Sequence, residues 1–329
     1  MKEFFEKSIS IIKSLVFRSF YKQKVIYEML NSLSILLPSY NNNCVSLVKQ
    51  LHRQAELLGP QGLRYEIIVA DDGSTNFTTI ASNQQIEQLS HCRFIRRNHN
   101  SGRAAIRNFL AQQASQEYLL FIDSDRMPGS KLFLYNYLSL KEVSVACGGL
   151  HIVGDKKELK GNIRFLLERK YELHNTARER SEKPYHNFNT SNFMVRRDIL
   201  LAHPFDKRFL KYGYEDVLWG KVLKAYDIPI QHIDNPILLN DFETNSEYLS
   251  KTKEGIDTLF TFQDDLRGFN GLLALTDRLN ALHLSKPISW VFRFFHKSIK
   301  RNLLGAHPSI PLFHFYKLGL LLCRQSAKE

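Results

Sequence analysis

Hydrophobic and polar positions alternate in blocks along the chain, and the period of that alternation changes twice. Over the first thirty residues Phe5, Ile9, Ile12, Val16 and Phe20 recur at helical spacing. Lys2, Lys7, Lys13, Arg18, Lys22 and Lys24 fall largely off that line, which predicts a basic amphipathic helix. From Leu33 the pattern becomes short, continuous apolar runs separated by amphipathic stretches. Leu33–Leu37 is such a run, ending at Pro38, and Val45–Leu58 reads as a helix closed by Gly59-Pro60. The YEIIVA run (65–70) reads as a strand, residues 78–89 as a helix, 93–96 as a strand, 102–114 as a helix and YLLFI (118–122) as a strand. Apolar strands in regular alternation with helices predict an α/β protein with a mostly parallel sheet covered on both faces. After residues 143–153 the alternation weakens. A charged helix over 163–180, an apolar piece at 193–195, a helix over 215–225 and a strand over 228–233 are expected. Beyond Asn245 the sequence is mostly helical in pattern. From Trp290 to Leu304 it is again amphipathic, with Trp290, Val291, Phe294, Phe295, Ile299 and Leu303 apolar and Arg293, Lys297, Lys300 and Arg301 basic. The pattern thus divides the chain into residues 1–30, 31–243 and 244–329.

Composition adds charge to this picture. The 329 residues are 43% hydrophobic and 24% charged, values of an ordinary globular protein, which excludes wholesale disorder. The formal net charge of +12 points to a polyanionic neighbour: nucleic acid, an anionic membrane or a phosphorylated substrate. No helix-turn-helix spacing, RNP-type aromatic strand or zinc finger accompanies the charge, so no nucleic-acid partner is expected. The basic residues concentrate instead at the two amphipathic ends, whose mix of aromatics with Lys and Arg suits an anionic membrane surface; the alternative is that each end helix packs on the protein's own core. Cys44, Cys92, Cys147 and Cys323 lie far apart, which indicates neither a disulfide scaffold nor a zinc module. Lys7, Lys13 and Arg18 interrupt any secretory h-region, and the longest apolar stretch, 311–323, contains His314 and Lys317. The expectation is a cytoplasmic protein, peripheral on the inner face of the cell membrane.

In a parallel α/β sheet, ligands bind beyond the carboxyl ends of the strands. Polar residues cluster at three such ends: Pro38-Ser39-Tyr40-Asn41, Asp71-Asp72 and Asp123-Ser124-Asp125. Each alone has an ordinary reading. Asp-Gly-Ser is a turn sequence, and Asp-x-Asp after a strand is commonly a loop or helix cap. Together, in order and in strand context, they describe one crevice. Asp123 and Asp125 can reach one small volume, where paired carboxylates repel unless a cation is present; an oxygen-only pair suits Mg²⁺ or Mn²⁺ shared with substrate phosphates. No GxGxxG follows any strand, which argues against a dinucleotide oxidoreductase.

The ordered set PSYN, VADDGST, GRAAIRN, FIDSD and, downstream, YGYEDVLWG resembles the inverting nucleotide-sugar glycosyltransferases of family 2, with the GT-A fold. The last motif is similar to the Glu-Asp motif of that family and of related galactosyl- and N-acetylgalactosaminyltransferases. The resemblance covers residues 33–243. It implies that Pro38, Tyr40 and Asp72 hold the nucleotide base, that Arg103 lies near base and phosphates, that Asp123 contacts the ribose or the metal shell, and that Asp125 ligates a Mn²⁺ or Mg²⁺ on the diphosphate. Asp216 is the implied general base, with Glu215 binding the acceptor or orienting the loop; the alternative is helix capping by acidic residues in a first turn. Residues 186–192 correspond to acceptor-side loops, with Asn189, Ser191, Asn192 and also Trp219 as acceptor-side candidates. One departure stands out. Many GT-A enzymes have a histidine after the Glu-Asp motif that completes the metal site. Here Leu239 stands where it is expected, with His232 and Asp241 as substitutes. The implied function is metal-assisted transfer of a sugar, inverting, from a nucleotide-sugar donor (UDP-linked) to a glycan or lipid-linked saccharide, in cell-surface polysaccharide biosynthesis. The competing expectation is a GT-A-like nucleotide- or glycan-binding module without turnover.

Overall fold

The computed structural model describes residues 29–326. The basic helix expected over 1–30 lies outside the described residues except for Met29 and Leu30, which pack against the core. Strand β1 (Ser32–Ser39) is followed by helix α1 (Val45–Leu58), which buries Leu47, Val48, Leu51, Ala55 and Leu58 along one face, the spacing its sequence predicts. Then come β2 (Arg64–Asp71), α2 (Phe77–Gln84), β3 (Cys92–Arg96), α3 (Arg103–Gln113), β4 (Tyr118–Ile122) and, a little further on, α4 (Phe133–Leu138). The expected helix over 78–89 is shorter than its apolar pattern, because the backbone tightens into a 3₁₀ turn at Gln85–Gln88.

Seven strands form the central sheet in the order β3-β2-β1-β4-β8-β6-β9, where β6 is Val145–Cys147, β8 Asn192–Arg196 and β9 Ile230–His232. Strands β1 to β4 are parallel to one another, whereas β8 runs antiparallel to both β4 and β6. The apolar piece at 193–195 is therefore a central strand, and Phe193 stacks on Phe121 at 4.9 Å between ring centroids. Because β8 is antiparallel, its first residue lies at the carboxyl end of β4: Asn192 pairs with Ile122. A second small sheet joins β5 (Met127–Pro128), β10 (Ile237–Leu239) and β7 (Leu150–Ile152). These strands are too short to show a period in the sequence. Apolar clusters line both faces of the main sheet, one around Ile35, Leu37, Leu51 and Ile67, the other around Leu36, Ile68, Phe121 and Trp219.

The charged helix expected over 163–180 is two helices, α5 (Ile163–Glu172) and α6 (Ala177–Ser181). The break is made by Thr176, whose hydroxyl accepts from the Glu179 amide while Glu179 reaches back to the Thr176 amide, a capping box that starts a new helix. Helices α7 (Arg197–Ala202) and α8 (Glu215–Ala225) follow, and residues beyond 244 are helical as expected: α9 (Asn245–Thr261), α10 (Gln263–Leu266), α11 (Gly271–Ala281), α12 (Ser285–Leu304) and α13 (Ile310–Ser326). Ile163 and Leu167 of α5 share one buried cluster with Leu249, Phe292, Ile299, Leu303, Phe313 and Tyr316. Gly319 lets α13 close on α12, for a Cβ there would sit 2.1 Å from the Phe292 ring. Among the described residues no helix is long and apolar enough to cross a membrane.

Candidate active site

The strand order reverses direction at β1, which has β2 on one side and β4 on the other, and this is where an open α/β sheet leaves a crevice. Register brings the strand ends level: Ser39 pairs with Asp71 and Leu36 with Phe121. Hydrogen bonds then tie the loops together. The Asn41 amide donates to Ser74 Oγ at 2.7 Å, and Asn41 Oδ1 accepts from the Thr75 and Asn76 amides at 2.9 Å each. Across the switch point, Asn42 Nδ2 donates to Ser124 Oγ at 3.3 Å. Tyr40 stands out from this rim, 48% exposed, so its ring is available for stacking and is not a core aromatic. Pro38 lies in β1 beside Ala70, half-buried at the base of the rim.

Asp72 is placed differently from the sequence expectation. It is buried, and its two oxygens accept from Arg97 Nη1 at 3.0 Å, Ser101 Oγ at 2.8 Å, the Ser101 amide at 3.0 Å and the Gly102 amide at 3.1 Å. A carboxylate has about four lone-pair positions. All are filled, so in this arrangement Asp72 clamps the turn leading into α3 and offers no acceptor to a base N–H. The clamp fixes the start of α3, whose Arg103 and Arg107 are four residues apart and so share a face.

Arg107 is the centre of the site. Its side chain is 1% exposed, with Nη2 on Asp123 Oδ1 at 2.9 Å and Nη1 on Glu215 Oε1 at 3.3 Å. One guanidinium thus joins the carboxylate after β4 to the carboxylate that opens α8. Burial works to raise the Asp123 carboxyl, but Arg107 and then Arg103 outweigh it and hold it below the ordinary range. The Asp123 amide donates to the Ser191 carbonyl at 3.0 Å, as the antiparallel placement of β8 requires. Arg103 lies at the cleft surface with its guanidinium 4.9 Å from the Tyr212 ring centroid. Desolvation opposes its charge, yet Asp123 and Glu215 keep its pKa raised, so it is a fixed cation.

Asp125 is about half exposed and pairs with Arg126 at 3.2 Å. Burial lifts its carboxyl above the ordinary range; Arg126 pulls it down and Asp123 pushes it up again. Among the described residues no group of three His, Cys, Asp or Glu side chains comes together. Leu239 is buried in β10, and His232 is held between Arg180 Nε at 3.2 Å and the Pro184 carbonyl at 3.0 Å. Asp241 is exposed, and no metal site including it is found among the described residues. The side chains that would hold a divalent ion here are Asp125 and Asp123, both hard oxygen donors. That set fits a Mg²⁺ or Mn²⁺ whose remaining positions are filled by a diphosphate and water, the usual way a small divalent ion is shared with a nucleotide.

The loop before α8 carries unusual backbone. Tyr214 has φ +71°, a conformation that non-glycine residues adopt rarely and that clusters at functional sites. It is braced by α9, where Glu254 Oε1 accepts from the Tyr212 amide at 3.0 Å and Thr258 Oγ1 donates to the Tyr212 carbonyl at 3.1 Å. The turn places Glu215 inward on Arg107 and leaves Asp216 beside it. Burial first, then the neighbouring Glu215 charge, pushes the Asp216 carboxyl up to about 7. Among the described residues its carboxylate accepts one hydrogen bond, from the adjacent Val217 amide at 2.8 Å, so capping does not consume it.

The acceptor-side candidates divide. Ser191 abuts Asp123, and Asn189 is exposed with its side chain turned back on the Ser191 amide at 2.8 Å. Asn192 and Trp219 are corrected. The Asn192 side chain is buried, accepting from Tyr137 Oη at 2.7 Å and donating to the Gly149 and Asn235 carbonyls at 3.0 and 2.8 Å. Trp219 is 1% exposed, its Nε1 donating to the His203 carbonyl at 2.7 Å among Phe188, Phe193 and Phe205. Both are structural, because β8 and α8 turn these positions into the core. Sequence reasoning also missed Arg107 and Arg126. The first was signalled by its four-residue spacing from Arg103, the second only by adjacency to Asp125.

Residues 34–203 match the family model described as glycosyl transferase family 2. The chain is 34% identical over 127 residues to a poly(ribitol-phosphate) beta-glucosyltransferase of Bacillus spizizenii, covering 36% of this chain and 19% of that protein. It is 25% identical over 197 residues to the glycosyltransferase AglE of Haloferax volcanii, covering 57% of this chain and 60% of that protein. The chain thus matches less than two thirds of the length of either curated relative. The solved mannosyltransferase PcManGT of Pyrobaculum calidifontis, in complex with GDP-Man and Mn²⁺, superposes with a TM-score of 0.52 at 12% identity, over 95% of this chain and 92% of that one. At that identity the likeness is one of fold, and the fold is GT-A-like.

Proposed function

We propose, from the premise that this chain belongs to glycosyl transferase family 2 and is a glycosyltransferase, that it transfers a sugar with inversion from a nucleotide-sugar to a hydroxyl of a glycan or lipid-linked saccharide. The observation that carries this reading is the Arg107 bridge, which ties Asp123 to Glu215 at the start of α8, next to Asp216, whose carboxyl is raised to about 7. Asp216 takes the proton of the acceptor hydroxyl as its oxygen attacks the anomeric carbon from the face opposite the leaving group. A base whose pKa lies near the working pH combines the ionised fraction with proton affinity. The departing nucleoside diphosphate gains negative charge, and Arg103 at the cleft surface offsets it. Asp125, with Asp123, would hold a divalent ion on the diphosphate, and that ion supplies further charge neutralisation when bound. Tyr40 stacks on the base. The similarity to a poly(ribitol-phosphate) glucosyltransferase supports a phosphate-containing polymer as acceptor; a UDP-linked donor is the first to try.

The test is calorimetric titration of UDP, GDP, CDP and ADP into the purified chain, with Mn²⁺ and with chelator, on wild type and Asp125→Ala. Metal-dependent binding of one nucleotide, lost in the variant, is expected. Absence of binding by every nucleotide to folded protein would overturn the donor-site reading. One observation favours the module without turnover: the described residues offer no third protein ligand for a metal. Release of nucleoside diphosphate from the donor that binds would exclude it.

A further inference from the structure

Helix α12 has no acidic residue and two faces of different fate. Ser289, Phe292, Ile299 and Leu303 are buried, the last three in the cluster shared with α5, α9 and α13. On the other side Trp290 and Phe294, one turn apart, are 69% and 71% exposed, with rings near-parallel at 6.0 Å. Phe295 extends the patch, its ring 4.9 Å from that of Phe294. Three adjacent aromatic rings turned to solvent mark an interaction surface. The next turns carry Lys297, Lys300 and Arg301, which with His296 and Leu304 line an open groove of about 640 Å³. Arg293, also exposed, donates through Nε to Cys323 Sγ at 3.5 Å.

We propose that α12 docks this protein on an anionic lipid bilayer: the Trp290–Phe294–Phe295 edge inserts at the headgroup–acyl boundary, and the groove of Lys297, Lys300 and Arg301 takes lipid phosphates. Charge complementarity selects the occupant. The exposed face presents cations and rings with no carboxylate, the composition that binds anionic interfaces. Residues 1–28 are a poor cover for the same face, because Lys2, Lys7, Lys13, Arg18, Lys22 and Lys24 outnumber Glu3, Glu6 and Glu28 and the net sign repeats that of the face. The surface is distinct from the donor crevice, so its test reads binding and not turnover.

The chain has two tryptophans, and Trp219 is sealed in the core, so lipid-induced fluorescence change reports on Trp290. The full chain is mixed with vesicles of phosphatidylcholine alone or with phosphatidylglycerol. Expected are co-sedimentation with the anionic vesicles only, a blue shift of emission, and quenching by brominated acyl chains. Trp290→Ala/Phe294→Ala and Lys297→Glu/Lys300→Glu alter exposed positions and leave the melting temperature unchanged. The charge reversal weakens vesicle partitioning by at least about tenfold. No binding to anionic vesicles, or binding that neither variant weakens, would overturn the proposal. So would a dimer, without lipid, in which Trp290 is already shielded from acrylamide and which the aromatic variant dissociates.

Discussion

Asp216 is the residue whose chemistry depends most on its surroundings. Its carboxyl is raised to about 7 by burial and by Glu215, and in the proposed mechanism the deprotonated form is the base. The sign follows: kcat falls about tenfold per pH unit below that value and reaches a plateau above it. A rate that does not change through pH 7 would remove Asp216 from the role. Asp216→Asn keeps the volume and removes the base, with an expected loss of roughly 10²–10⁴ in kcat and little change in nucleotide affinity by calorimetry. Arg107 acts through packing and charge together. Arg107→Met would leave the buried Glu215 and the partly buried Asp123 without this cation, an expected loss of about 3–5 kcal/mol in urea unfolding. A loss under 1 kcal/mol (about the value of an exposed pair) would mean the bridge is solvated. The sequence showed these residues as letters in motifs. It did not show that Asp72 spends its oxygens on Ser101, Gly102 and Arg97, because hydrogen-bond saturation depends on loops that only tertiary structure brings together.

Among the elements, the loops after β1 and β2 form the rim of the crevice, and they hold shape by contact with each other. Gly73 has φ +77°, and a Cβ there would lie 2.5 Å from the His99 carbonyl carbon. Backbone cannot yield as a side-chain tip can. Gly73→Ala is expected to lower stability by about 1–3 kcal/mol and weaken nucleotide binding in the same variant. A melting temperature and nucleotide affinity equal to wild type would show that the rim tolerates a shift there. Element type was legible wherever a period ran long enough: α1, β2, α3 and β4 lie within a residue or two of their patterns. It failed where a local cap overrode the pattern, as at Thr176, and where strands of two or three residues were assembled only by their partners.

For the whole molecule, the boundary expected at residue 243 does not separate two cores. Ile163 and Leu167 from the sheet-side region lie in one cluster with Leu249, Phe292 and Phe313, and α9 braces Tyr212 beside the Glu-Asp turn. Deleting residues 285–329 should therefore uncover that cluster, broaden or abolish the cooperative melt and aggregate the chain on size exclusion. A monodisperse truncation melting like the full chain would show that the helices are an appendage. The sequence by itself determined the α/β class, the parallel run from β1 to β4, the carboxyl-end crevice and the family, because each rests on local periodicity and short motifs that read along the chain. Tertiary structure decided which polar residues face that crevice. The antiparallel entry of β8 put Ser191 beside Asp123 and turned Asn192 inward, α8 took Trp219 into the core, and Arg107 became a bridge between carboxylates about a hundred residues apart in sequence. Pairing direction and burial are properties of contacts between distant segments, and no local pattern encodes them.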